Sequence, residues 1–148
     1  SSEEQWLVSS LETWNFLIEY VQGTETIIAM ENVYERGPHQ LRPLFDALNS
    51  PRVHFCFDTG HANTFGSAPY QEWMEILGDR LGEIHIHDNN GTTDQHLPVG
   101  EGNFPFRELL ALVRRKNLTP ILTVEAHSDR SLRRMLENIR TMNLLEYR

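Results

Sequence analysis

The sequence is poor in cysteine, in basic residues and in long apolar runs. It has one cysteine, Cys56, in 148 residues. A single thiol makes no internal disulfide, which fits a reducing compartment, and a cytoplasmic location is expected. Lys and Arg number 13 against 21 Asp and Glu, a formal net charge of −8. Non-specific nucleic-acid binding rests on clustered basic residues, so composition argues against a nucleic-acid partner. The acidic excess is compatible with carboxylates gathered around a cation. No apolar run approaches the roughly 20 residues of a membrane span, so no membrane association is expected. The opening residues, Ser1-Ser2-Glu3-Glu4, hold no basic stretch, and no secretory signal is expected there. With 39% hydrophobic and 23% charged residues the composition is globular, which excludes collagen-like, coiled-coil and wholly disordered chains. The length suits a single domain over 1–148.

What is present is an apolar periodicity that switches repeatedly between two modes. Residues 9–22 carry a helical face of Leu11, Trp14, Ile18 and Val21, with Leu7 just upstream. Ser9 and Glu12 form a capping box at its start and Gly23 ends it. Thr26–Asn32, Val53–Asp58, Glu83–His87 and Ile121–Glu125 read as short buried strands. Between and after them, helical faces run through Leu41–Leu48, through Tyr70–Leu77 behind Pro69, through Phe106–Val113 and through Leu132–Met142. A polar loop, Asp88–Gly102, follows the third strand. A leading helix followed by repeated strand–helix units implies a parallel sheet covered by helices. Right-handed crossovers leave two architectures, an open doubly wound sheet or a segment of a barrel.

Each predicted strand carries its polar residues at its C-terminal end: Glu31-Asn32, Asp58-Thr59-Gly60-His61, His85-Ile86-His87-Asp88 and Glu125-Ala126-His127. Sites of parallel α/β folds are built at that edge. Strand alternation puts Glu31 on one face with Ala29, Asp58 with Cys56, and Glu125 with Thr123. Such small or apolar companions are expected inside a barrel. Facing carboxylates and an imidazole repel one another, and a divalent cation removes that cost. Mixed oxygen and nitrogen donors suit Mn²⁺, Zn²⁺, Co²⁺ or Mg²⁺. A second constellation is His61, Asp94 and His96, either a further metal or substrate site or a polar loop without metal. His39, His54 and His127 lack comparable company and read as surface or hydrogen-bonded histidines. Cys56 reads as a small core residue.

The segments IAMENVYE, FCFDTGHAN, IHIHDNNGTTDQHLPVGEGNFPF and LTVEAHS together resemble the xylose isomerase-like TIM-barrel superfamily of sugar phosphate isomerases and epimerases and family 2 AP endonucleases. The resemblance covers nearly the whole chain. It implies an α/β fold, the (βα)₄ C-terminal half of a (β/α)₈ barrel: strands five to eight with a leading helix. It implies a central metal on Glu31, Asp58, His85 and Glu125, with His87 close by behind the ligands or against the substrate; the alternative is His87 in place of His85 as ligand. In the endonuclease branch a further metal uses positions that match His61, Asp94 and His96. The isomerase branch implies proton transfer between Glu31 and Glu125 through a cis-enediolate, with His61 and the Asp94–Gly102 loop shaping the sugar or sugar phosphate pocket and His87, Asp88 and Glu101 either contacting the substrate or standing behind the metal ligands. A carboxylate, with a reference pKa of about 4.3, is a weak base and depends there on the metal and a dry site. The alternatives are an AP endonuclease-like phosphodiesterase and an inactive metal-binding half-barrel. A full barrel has eight strand–helix units. Four alone leave two open sheet edges, so a homo-oligomer or a partner half-barrel is expected.

Overall fold

A computed structural model describes residues 2–145, so Ser1 and residues 146–148 of the expected domain lie outside the described residues. The strands are β1 (Ile28–Glu31), β2 (Val53–Asp58), β3 (Leu81–Ile86) and β4 (Ile121–Val124). The helices are α1 (Ser2–Tyr20), α2 (Arg42–Leu48), α3 (Thr59–Thr64), α4 (Tyr70–Ile76), α5 (Phe106–Arg115) and α6 (Asp129–Thr141). The sheet is wholly parallel and ordered β1-β2-β3-β4. A doubly wound sheet reverses its strand order at a switch point. This order runs in sequence without reversal, which is the arrangement of a barrel segment.

Alternation divides the sheet into two chemically distinct faces. Phe55, Phe57, Ile84 and Ile86 point to one face and are buried with Trp73, Leu77, Leu109 and Val113. Phe55 stacks on Trp73, with centroids 5.8 Å apart and rings 10° from parallel. This layer of aromatic and branched side chains is the main core. The opposite face carries Glu31, Cys56, Asp58, Glu83, His85 and Thr123. Register places Asp58, His85 and Thr123 side by side in adjacent strands, one step beyond Cys56, Glu83 and Ile121.

Two expectations need correction. Helix α1 begins at Ser2 and ends at Tyr20, not at 9 and 22. Acidic Glu3 and Glu4 occupy its first turn, where the helix dipole favours them. Ser9 therefore lies inside the helix, and its carbonyl accepts from Thr13 Oγ1 at 3.0 Å instead of opening a capping box. The second correction is α3, which carries no apolar stripe and was invisible to periodicity. It is started by Asp58, whose side chain caps the helix by accepting from the His61 N–H.

Candidate metal centre

The C-terminal strand ends bring Glu31, Asp58, His85 and Glu125 around one ring nitrogen. His85 Nδ1 lies 3.1 Å from Glu125 Oε1, 3.6 Å from Asp58 Oδ2 and 3.7 Å from Glu31 Oε2. It is buried and makes no hydrogen bond. One donor atom each from Glu31, Asp58 and His85 falls within a 4.8 Å cluster. A buried, unpartnered ring nitrogen among three carboxylates fits a divalent cation held by oxygen and nitrogen donors.

The four residues are not equally accessible. The Asp58 side chain is 0% exposed, whereas those of Glu31 and Glu125 are 29% and 33% exposed. Asp58 is fixed from several directions. Its Oδ1 accepts the His61 backbone N–H at 2.7 Å. Both of its carboxylate oxygens lie 3.0 Å from His87 Nε2. Its backbone is clasped by Asn32, whose amide donates to the Asp58 carbonyl and accepts from the Asp58 N–H. Burial would push the Asp58 carboxyl up, but the adjoining His85 and His87 rings outweigh it and hold it well below the usual carboxylate range. The same field acts on the imidazoles. Asp58, then Cys56, push His85 up to about 11 against the opposing effect of burial. Burial lowers His61, yet Glu31 and Asp58 prevail and raise it to about 9.

His61, Asp94 and His96 converge next to this cluster. Asp94 Oδ2 lies 3.4 Å from His61 Nε2 and 3.2 Å from His96 Nε2. His61 Nδ1 also lies 2.8 Å from Glu31 Oε1, so the two constellations share an edge. His87 is fully buried, stacks on His96 at a centroid distance of 3.7 Å, and turns Nδ1 toward Asp94 Oδ1 at 3.6 Å. Desolvation, reinforced by the neighbouring His87, lowers the pKa of His96.

Two of the candidate substrate residues are occupied by the protein itself. The Asp88 carboxylate is buried and accepts four backbone N–H groups, from Asn89, Gly100, Gly102 and Phe104. It anchors the loop beyond β3. A Cβ at Gly102 would overlap Asp88 and the Asn89 carbonyl, so this approach requires glycine. Glu101 turns to α6, where it pairs with Arg134 and accepts from Asn138 Nδ2 at 3.4 Å.

Two further residues join the site without having been singled out by sequence reasoning. His127 stacks on His96 with centroids 4.0 Å apart, contrary to the expectation that it stands alone. Glu83 reaches His85 Nε2 at 3.4 Å. Its only signal in the sequence is its position two residues before His85 in the same strand.

A family model described as xylose isomerase-like TIM barrel matches residues 1–145, and the chain belongs to that family. An uncharacterised protein of Methanocaldococcus jannaschii is 31% identical over 126 residues, 80% of this chain and 43% of the relative. Fructoselysine 3-epimerase of Escherichia coli O157:H7 is 37% identical over 57 residues, 38% of this chain and 21% of that enzyme. Among solved structures, a D-tagatose 3-epimerase-like protein matches with a TM-score of 0.81 at 27% identity, over 95% of this chain and 54% of the other. A zinc-bound IolI protein shares the fold with a TM-score of 0.79 at 16% identity, over 97% of this chain and 58% of the other. The chain thus spans less than half the length of the curated relatives and a little over half that of the structures. Among the described residues no helix is long and apolar enough to cross a membrane.

Proposed function

We propose that this chain supplies the metal-binding half of a divalent-metal-dependent sugar or sugar phosphate isomerase or epimerase. The observation that carries this reading is the buried His85 Nδ1, without a hydrogen bond, facing the carboxylates of Glu31, Asp58 and Glu125. Glu31, Asp58, His85 and Glu125 would hold the ion. A bound Mn²⁺, Zn²⁺, Co²⁺ or Mg²⁺ would polarise a substrate carbonyl and acidify the neighbouring C–H.

The division of labour among the residues follows from their exposure. Asp58 is sealed and acts as a fixed anion. Glu31 and Glu125 are open to a substrate and stand at the ends of β1 and β4, the two outer strands of the sheet. Epimerisation removes a carbon-bound proton from one face and returns one to the other. Two reachable carboxylates on opposite sides of a common centre meet that requirement, one accepting the proton and the other donating it. His61, ion-paired to Glu31, steadies that carboxylate. Closeness in sequence to an epimerase supports the sugar reading over the phosphodiesterase alternative.

The reading includes completion of the barrel. Strands β1 and β4 each pair on one side only. Ile121 on β4 is 66% exposed, and Leu132 and Leu136 on α6 are exposed as well. Four further strand–helix units, in the same polypeptide or in a second copy, would cover these faces.

The test is Glu125→Gln in the completed barrel, assayed on a panel of ketoses, aldoses and their phosphates with Mn²⁺ or Co²⁺. Turnover is expected to vanish while circular dichroism persists. Retained turnover would refute the two-glutamate mechanism. Nicking of abasic duplex DNA that is lost with a chelator would favour the phosphodiesterase.

A further inference from the structure

We propose that Glu83 is a positioning residue that fixes the His85 ring, presenting Nδ1 to the cation by holding Nε2–H. The inference rests on the metal-centre reading above. Glu83 and His85 are two apart in β3, so both side chains project to the same face. Glu83 Oε1 accepts the Thr123 hydroxyl from β4 and lies 3.4 Å from His85 Nε2. Thr123 pairs directly with His85 in the sheet register, so the anchor of the carboxylate is itself fixed by the β-ladder. The imidazole is thereby bracketed. Three acidic side chains face Nδ1, and one carboxylate with a rigid tether faces Nε2.

A neutral imidazole has one donor nitrogen and one acceptor nitrogen. A carboxylate beside Nε2 favours the proton there and leaves the Nδ1 lone pair for a cation. Metal-ligating histidines depend on such partners for orientation and basicity. A second arrangement of the same residues is conceivable, because Cys56, Glu83 and His85 also offer donor atoms within 4.8 Å of one another. It is disfavoured because Glu83 Oε1, the oxygen nearest His85 Nε2, already accepts the Thr123 hydroxyl.

The test is zinc affinity by chelator competition on wild type, Glu83→Gln, Thr123→Val, His85→Ala and the Glu83→Gln/His85→Ala double variant. Removing such a partner lowers metal affinity by about 10–100-fold. Glu83→Gln is expected to show that loss, Thr123→Val a smaller loss, and Glu83→Gln almost none once His85 is alanine. In the zinc-loaded protein, the His85 Nε2–H proton resonance is expected downfield in wild type and upfield in Glu83→Gln. Additive losses in the double variant, or an unmoved Nε2–H resonance, would overturn the proposal. Zinc binding that survives Asp58→Asn but disappears in Cys56→Ala would put the ion on Cys56, Glu83 and His85 and overturn it too. Affinity unchanged in Asp58→Asn, Glu31→Gln and Cys56→Ala alike would instead sink the metal-centre reading itself.

Discussion

His87 and Asp58 form a fully buried pair: Nε2 lies 3.0 Å from each carboxylate oxygen, and both side chains are 0% exposed. The depressed Asp58 carboxyl is ionised and can only accept, so His87 Nε2 carries the proton in this contact. His87 thus supports the anion from below while its stacked face meets His96. The backbone is shaped around this pair. A Cβ at Gly60 would overlap the His87 ring, which is why the residue two after Asp58 is glycine.

His87→Ala removes a buried donor from an ionised carboxylate, and a hydrogen bond to a charged group contributes about 1.5–3 kcal/mol. His87→Ala is therefore expected to lower the urea midpoint by a corresponding amount with little change in slope. His39→Ala is the comparison. His39 Nε2 lies 3.5 Å from Glu72 Oε1 on the surface, and exposed contacts of this kind contribute about 0–1 kcal/mol. Equal midpoints for the two variants would show that the His87–Asp58 pair carries no special weight.

Asp88 makes a separable prediction. Its carboxylate gathers the N–H groups of Gly100, Gly102 and Phe104, so the loop is tied down by one side chain. Asp88→Ala is expected to speed amide hydrogen exchange across residues 98–104 while β2 and β3 stay protected. Unaltered exchange in that loop would mean that Asn63, Asn89 and Asn103 hold it without Asp88.

Much of this centre was legible before folding, because polar residues at the ends of apolar strands have no packing role to explain them. Strand β2 has the expected bounds, and Glu31, Asp58, His85 and Glu125 lie at one edge because parallel strands must present their C-terminal ends together. What stayed hidden depends on register between strands. Glu83 meets His85 and Thr123 only through the β3–β4 pairing. His127 meets His96 only because the Asp88–Gly102 loop folds back, bridging Asp88 to Leu97. Helix α3 was hidden for a different reason: a cap starts it, and no apolar stripe marks it.

The imidazoles give the metal-free chain a defined pH response. His61 is raised to about 9 in the folded state from an ordinary value near 6.5. The folded state therefore holds this proton more tightly than the unfolded state. The resulting stabilisation is complete below about pH 6.5, declines as pH rises, and is gone above about 9. Thermal unfolding in chelator is expected to show a falling midpoint from pH 6.5 to 9 in wild type. His61→Gln is expected to reduce that fall, leaving the part that His85, raised to about 11, contributes over the same range. An identical slope in the variant would exclude His61 as its source.

A divalent ion should oppose that loss, because it replaces the protons that hold the carboxylates together. A ligand at 100 times its dissociation constant stabilises the folded state by about 2.7 kcal/mol, which is a rise of about 5–10 °C in midpoint for a chain of this size. Asp58→Asn removes a charge that also caps α3 and pairs with His87, so its own midpoint falls without any metal. The informative quantity is the metal-induced difference within each variant. That difference is expected to be large in wild type and close to zero in Asp58→Asn. His85 is protonated in the metal-free chain up to about pH 11, so binding at Nδ1 releases a proton. Apparent affinity should therefore rise about tenfold per pH unit for each proton released, and the metal-induced shift should grow from pH 6 to 8. A shift that is independent of pH would mean that the ion does not displace the proton of His85.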